Sequence, residues 1–195
     1  TQEHVDIIKK GGVGVIPTDT QYGIIASSHD KEAFDSIIKL KGLNSNRKGF
    51  VNLISKQEDL EEFGIEINDF QKRILEKIWP GPYSVIFEVD ENHKDILRFS
   101  AHAFRLPDNK QILDFVSKTG PIIATSANET SMPSSRSITE AREYFGDKVD
   151  FYVDGGMLDS EPSTIIMIKD SQVEVIRKGK GDISVLKDYI VDIIK

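Results

Sequence analysis

Apolar and polar positions repeat along this chain with two different periods, and the switches between them mark out its elements. Positions 5–10 carry a short amphipathic helix, closed by Gly11 and Gly12. The apolar run at 13–16 reads as a buried strand stopped by Pro17, and 24–26 as another short strand. Asp30 caps a helix that runs through Leu40, with Ala33, Phe34, Ile37 and Ile38 on one face. A strand at 50–54 and a short helix at 57–63 follow. Asn68 caps a helix through Trp79 whose stripe is Phe70, Ile74, Leu75 and Ile78. Pro80-Gly81-Pro82 ends it, because proline cannot continue the backbone ladder.

Alternation at 83–89 and at 101–106 predicts two more strands, and Asp108 starts a helix carrying Ile112, Phe115 and Val116. Positions 121–125 form a strand ending in a polar turn, and 138–145 a helix. Strands follow at 151–153, 164–168 and 172–177, the last two making a hairpin around Lys169-Asp170. The spacing of Leu186, Ile190 and Ile193 predicts a closing amphipathic helix over 182–194. Helices and strands interspersed in this way point to one α/β domain over 1–195. Its sheet should be mixed rather than all-parallel, because the late strands come without helices between them.

Composition adds boundaries to this picture. The 195 residues hold 25 Lys+Arg against 32 Asp+Glu, a net charge of −7, with 38% hydrophobic residues, too apolar for general disorder. No run of roughly 18 apolar residues occurs, so no membrane-spanning helix is expected. The opening TQEHVDIIKKGG is too polar and acidic for a secretory signal, and a cytoplasmic protein is the simplest expectation. The absence of Cys excludes disulfides, thiolate zinc sites and a cysteine nucleophile. The acidic balance weighs against tight nonspecific binding to long nucleic acids, but leaves room for a small nucleotide held by a local basic cluster.

Six segments could carry chemistry. Pro17-Thr18-Asp19-Thr20-Gln21-Tyr22-Gly23 gathers hydroxyls, a carboxylate and a phenol at a strand exit, where open α/β sheets place ligands. The same residues also make ordinary turns. Residues 39–49 place four cations and two glycines together, suited either to phosphate or to a solvated helix end. Ser126 and Asn128 offer a hydroxyl and an amide to one crevice after a strand, or hold a structural turn. Arg105, between Phe104 and Leu106, is buried if the segment is a strand, so it needs an anion: a ligand carboxylate or an internal Asp or Glu. Pro162-Ser163-Thr164 and Arg177-Lys178-Gly179-Lys180-Gly181 read as loops over a ligand or as basic turns. Several other motifs fail. Gly11-Gly12-Val13-Gly14 is not a dinucleotide fingerprint, no P-loop or G-x-S-x-G elbow occurs, and the four His show no metal-ligand spacing, so no protein-held metal is expected.

Taken in order, the segments PTDTQYG, KLKG, WPGPYS, FRLP, ATSAN, PST and VIRKG resemble those of the YrdC/TsaC family of L-threonylcarbamoyladenylate synthases, from about Gly12 to Gly181. The resemblance implies a single-domain, twisted, open α/β sheet with a basic concave cavity. It implies a reaction in which L-threonine, bicarbonate or CO2, and ATP give threonylcarbamoyl-AMP and pyrophosphate. That product would serve the N6-threonylcarbamoyl modification of tRNA beside the anticodon, with Mg²⁺ accompanying ATP and with tRNA-modification proteins and tRNA as partners. Carried over residue by residue, Thr20, Tyr22, Asn52, Arg105 and Ser163 fall at L-threonine. Lys41, Arg47, Ser126, Asn128, Arg136 and Arg177 fall at ATP, with Lys41, Ser126 and Asn128 as the catalytic set.

The chain also departs from the family pattern. Leu43 stands where Lys-x-Arg has its arginine, and Arg47, four residues on, is the candidate replacement. Asn52 replaces a common His, Thr130-Ser131 a small-Gly pair, and Ala101 a hydroxyl residue. Two other readings compete with the synthase. One is a noncatalytic RNA-binding module of the same fold, which the net charge of −7 disfavours. The other is a carbamoyl-transfer domain like those of hydrogenase-maturation proteins, which sit in longer chains with cysteine-bearing zinc segments.

Overall fold

The computed structural model describes residues 1–43, 50–87, 103–169 and 171–193. Its ten strands form one mixed sheet: β1 (Gly14–Pro17), β2 (Tyr22–Ser27), β3 (Val51–Leu53), β4 (Tyr83–Ile86), β5 (Ala103–Arg105), β6 (Ile122–Ser126), β7 (Phe151–Tyr152), β8 (Thr164–Lys169), β9 (Gln172–Arg177) and β10 (Ile190–Ile193). They lie in the order β10-β9-β8-β4-β5-β3-β6-β2-β1-β7. Among the described residues, five α-helices flank the sheet: α1 (Gln2–Lys9), α2 (Lys31–Leu40), α3 (Asp69–Ile78), α4 (Lys110–Thr119) and α5 (Ile138–Phe145). The expected mixed α/β sheet is therefore present, and β8 and β9 are the expected antiparallel hairpin.

Side chains alternate between the two faces of a strand, so the register assigns each residue to a side. Val85 pairs with Phe104 and Ile166, and Asn52 with Phe104 and Ile123, which puts all five on one face. That face is covered by α2, α3 and α5 through Phe34, Ile37, Ile74, Leu75, Ile78 and Phe145. Full burial of each such side chain contributes about 1.5–3 kcal/mol. Arg105 pairs with Leu53, and Val51 with Ala124, on the other face. There α1 and α4 cover Leu53, Ile122 and Ala124 with Ile8, Ile112 and Val116. On this same face Arg105 and Val51 line the cavity.

Two expectations need correction. The helix after β5 is capped by Asn109, not Asp108: its side chain accepts from the N–H groups of Gln111 and Ile112. The segment 182–194 is not a helix. Asp182 caps a short 3-10 turn (Ile183–Leu186), and Ile190–Ile193 then pairs parallel with β9 as an edge strand. The β-branched run Ile190-Val191 suits a pleated edge better than a helix, and β9 offers it an open row of backbone groups.

The end of α2 matters for the site. Gly42, at φ +64°, donates from its N–H to Lys39 O, and Leu43 N–H reaches back to Ile38 O. This is a Schellman cap, whose last residue ordinarily makes a hydrophobic contact, and Leu43 packs on the α2 core cluster. The position where the family pattern has a cation is used here to finish a helix.

Candidate functional site

A cavity of about 240 Å³ opens at the sheet end where β1, β6 and β9 finish and β2, β3, β4 and β8 begin. Its floor is Val51, Ala124 and Arg105. Around it stand Thr18, Thr20, Thr125, Ser126, Ser134 and Ser163, with Arg177 at the mouth. Among the described residues, hydroxyls and two guanidiniums line it and no carboxylate does. The cavity is therefore polar, positive and suited to anionic oxygens.

Proton accounting fixes several orientations in the loop after β1. The Thr18 hydroxyl donates to Gln21 O at 2.6 Å and accepts from the N–H groups of Thr20 and Gln21. Its only proton is spent, so Thr20 must be the donor in the 3.1 Å contact between the two hydroxyls. Thr20 Oγ1 in turn accepts from Arg105 Nη1 at 3.1 Å. Arg105 is 3% exposed, and its anion is Asp19, with Nη2 3.2 Å from Asp19 Oδ1. Of the two anions open to it, the structure supplies the internal one, and it still leaves the guanidinium on the cavity floor. Burial pushes the Asp19 carboxyl up from the usual carboxylate range, and the Arg105 charge beside it acts the other way.

Arg177 reaches the cavity because of a local irregularity. Val173 and Val175 of β9 face the α3 side, and strict alternation would send Arg177 the same way. Ile166 pairs with Val175, but Ile165 pairs with Arg177, so Ile176 is bulged out of register. The extra residue turns Arg177 to the cavity face. Its Nη2 donates to Ser163 O at 2.8 Å. Desolvation and the nearby Arg105 charge both lower its pKa. Ser163 shares a 2.9 Å hydroxyl contact with buried Ser84. Gly179 closes this corner: a Cβ there would lie 2.1 Å from Pro162 O.

Lys41, 5% exposed, projects from the end of α2 into the turn after β6. Its Nζ donates to Ser126 O at 2.6 Å, Asn128 O at 2.8 Å and Asn128 Oδ1 at 3.1 Å, which uses all three protons. The backbone returns the contact, since Lys41 O accepts from Thr130 N–H and Thr130 Oγ1. Burial without a carboxylate pushes the Lys41 pKa down to about 8. Asn128 is equally committed: Oδ1 also accepts from Ser126 Oγ at 2.6 Å, and Nδ2 donates to Glu129 O and Met132 O. Thr130, one of the departures from the family pattern, is thus part of a clasp between α2 and this turn.

The sequence candidates separate on this geometry. Thr20, Tyr22, Arg105, Ser126, Ser163 and Arg177 are brought to one cavity, and Lys41 and Asn128 sit directly behind its Ser126 wall. Tyr22 borders the cavity, but its ring packs in the core cluster under α2 and α5, and its hydroxyl donates to Gly156 O and accepts from Gly155 N–H, which tethers the 154–156 loop. Asn52 is not brought there. Its neighbour Val51 faces the cavity, so alternation turns Asn52 to the opposite face, where Oδ1 accepts from Ser28 Oγ at 2.8 Å. Arg136 also misses the cavity, with its side chain 57% exposed beside Glu140. Arg47 and Ala101 lie outside the described residues. Sequence reasoning did not single out Ser84 or Asp19 for a role. The signal for the first was its place at the end of the WPGPYS segment, and the need of Arg105 for an anion was the signal for the second.

Among the described residues, no group of three or more His, Asp or Glu could hold a metal ion, and no helix is long and apolar enough to cross a membrane. The Sua5/YciO/YrdC family model, described as telomere recombination, matches residues 6–179. This chain belongs to that family. Within the Sua5/YciO/YrdC group it is 31% identical over 173 residues to a putative threonylcarbamoyl-AMP synthase of Methanocaldococcus jannaschii, covering 88% of this chain and 82% of that protein. It is 30% identical over 186 residues to an uncharacterized protein of Haemophilus influenzae, covering 91% and 87%. Among solved structures, P. abyssi Sua5 complexed with L-threonine superposes with TM-score 0.87 at 25% identity, over 99% of this chain and 58% of that one. E. coli YciO superposes with TM-score 0.80 at 24% identity, over 94% and 90%, and shows the shared fold.

Proposed function

We propose that this protein is an L-threonylcarbamoyladenylate synthase, a nucleotidyltransferase that joins L-threonine, bicarbonate-derived CO2 and the AMP part of ATP and releases pyrophosphate. The observation that carries this reading is the hydroxyl-lined cavity with Arg105 and Arg177 on its wall and, among the described residues, no carboxylate lining it. Relatives named for this reaction, and a Sua5 neighbour with L-threonine bound, support it.

The chemistry asks for little covalent help. The neutral amine of threonine adds to CO2 and loses a proton, giving a carbamate. A carbamate oxygen then attacks the α-phosphorus, and the bond to pyrophosphate breaks. What the protein supplies is position and charge. Arg105 takes the amino acid's carboxylate, with Thr20 and Ser163 at its polar groups. Arg177 and the Ser126–Asn128 turn face the phosphates, and Lys41 places its positive charge behind that turn. In the ligand-free arrangement the Ser126 proton points at Asn128 Oδ1. A phosphate oxygen approaching Ser126 would therefore draw that proton away from Asn128.

The described part of the cavity wall does not fit a resident Mg²⁺ site, because it offers hydroxyls and cations instead of carboxylates. Magnesium would enter on the triphosphate, as part of the substrate. The product would go to tRNA modification beside the anticodon, in the cytoplasm. Incubation of the full chain with ATP, Mg²⁺, L-threonine and bicarbonate tests the reading: pyrophosphate and a threonylcarbamoyl adenylate should appear together and only when all reactants are present. Absence of both from folded protein rejects it. Steeply salt-dependent RNA binding in that case would favour the noncatalytic module.

A further inference from the structure

Arg105 is a buried cation with more hydrogen-bonding capacity than the protein satisfies. Nη1 donates to Thr20 and Nη2 lies near Asp19, but Nε meets no acceptor. Asp19 is in the same condition: both its oxygens are shut off from solvent and neither accepts a hydrogen bond. Their side chains are 4% and 8% exposed. They face each other as charges, without the two-pronged fork that guanidinium and carboxylate form when their geometry is free to close. Unsatisfied buried groups are costly, so a pair retained only for the fold should have closed that fork. Arg105 also forms part of the cavity floor. Asp19 meets it from the protein side, on a loop pinned by Lys180, whose Nζ donates to Asp19 O at 2.6 Å.

We propose that Asp19 is the resting counter-ion of Arg105 and competes with the carboxylate of the incoming amino acid for that one guanidinium, so that Asp19 sets the affinity of the site. This rests on the reading of Arg105 as the carboxylate's partner. Before substrate arrives, Asp19 answers the buried positive charge and the fold stands without a ligand. Once a carboxylate enters, two anions share one cation, and their mutual repulsion weakens binding and favours release. Asp19 touches no reacting atom, and its part is that of a positioning residue.

Calorimetric titration of L-threonine into the full chain tests this, with Asp19→Asn and Asp19→Glu as variants and L-threoninamide, which lacks the carboxylate, as a second probe. Asp19→Asn should bind L-threonine about tenfold more tightly than the wild type, because a close like charge has been removed. Asp19→Glu, which restores the charge, should return to near the wild-type value, and L-threoninamide should not distinguish Asp19→Asn from the wild type. Unchanged or weaker L-threonine binding by Asp19→Asn overturns the proposal. Should Asp19→Asn not fold, the wild type alone decides. The groups that set the charge state of Asp19 are Arg105 of β5, Lys180 of the loop after β9 and Asp108 of the turn after β5. An arriving carboxylate raises the proton affinity of Asp19 further, so binding in acidic buffer should take up protons. That uptake shows as unequal heats in two buffers of different ionisation enthalpy, and its absence overturns the proposal. A wild type that does not bind L-threonine at all removes the functional reading and this proposal with it. Wild-type binding with no gain in Asp19→Asn removes this proposal alone.

Discussion

Arg105 and Lys41 face the same physical problem and solve it differently. Both are cations with almost no exposure, at 3% and 5%, on opposite sides of one cavity wall. Arg105 is met by a charge, Asp19, in poor hydrogen-bond geometry. Lys41 is met by three neutral oxygens in good geometry. A carboxylate supplies Coulomb attraction but little direction, whereas carbonyl dipoles supply direction with less attraction. The outcome for Lys41 is a pKa near 8, within reach of physiological titration. Arg105 is also lowered by burial, but its intrinsic basicity keeps it charged throughout. One region therefore has a permanent positive charge met by a loosely fitted carboxylate, and the other a conditional charge in a fixed frame.

The sharpest way to break this comparison is Arg105→Ala. It leaves Asp19 buried and unpaired, and removing one member of a buried pair typically costs about 3–5 kcal/mol. Urea denaturation should show that loss, and L-threonine binding should disappear. If the cost comes from the stranded carboxylate, Arg105→Ala combined with Asp19→Ala should recover a large part of it. A double variant no more stable than the single one would mean that Arg105 acts mainly through packing of its stem.

Lys41→Met keeps the length of the stem and removes the donors. Ser126 O, Asn128 O and Asn128 Oδ1 lose a partner, at an expected cost of about 1–3 kcal/mol by denaturant unfolding. ATP affinity should fall by about tenfold or more, because the charge behind the turn is gone. The smaller effect than for Arg105→Ala is the point of contact between the two regions, since neutral acceptors are less costly to strand than a charge.

The conditional charge predicts a pH signature with a definite sign. Lys41 holds its proton up to about 8 when folded, against 10.5 for the ordinary value. Between those limits the unfolded chain binds more protons, so stability rises with pH there. Below about 8 both states are protonated and the burial cost stands in full. The stability of the wild type relative to Lys41→Met should therefore grow from about pH 8 to about pH 10.5, read from denaturant midpoints of the two proteins. ATP binding should weaken as pH rises through about 8 if the ammonium charge holds the phosphates. A flat difference would show that the three acceptors keep the proton on Lys41 throughout.

How much of this could be read in the sequence follows from the range of each interaction. Alternation and caps are local, and they located most strands and helices, including Asp30 and Asn68 at their caps. The C-terminal segment misled because Leu186, Ile190 and Ile193 have helical spacing, whereas the β-branched run and the open edge of β9 decided the matter. In the site, the ordered motifs indicated which residues share a cavity, but not which way each one points. Asn52 is turned away by the alternation that admits Val51, and Arg177 is turned inward only by the bulge at Ile176. The choice of Asp19 as the anion for Arg105 joins residues 86 apart in sequence, and no local rule contains it. Leu43, at the place of the family cation, closes the Schellman cap of α2 and packs on its core cluster.

A third buried polar contact sharpens the comparison by having no charge at all. Ser84 and Ser163 share a hydroxyl contact at 2.9 Å, with Ser84 1% and Ser163 6% exposed. Ser163 Oγ is on the cavity wall, and its carbonyl carries Arg177. Ser84→Ala removes one neutral hydrogen bond and leaves the remaining hydroxyl able to rotate toward the cavity, so the stability loss should be about 1 kcal/mol. A freely rotating Ser163 holds the amino acid less firmly, and KM for L-threonine should rise about threefold with little change in kcat or in KM for ATP. A drop in kcat equal to the rise in KM would place Ser163 in the transition state instead of at the amino acid. No kinetic change at all would make the Ser84–Ser163 pair structural.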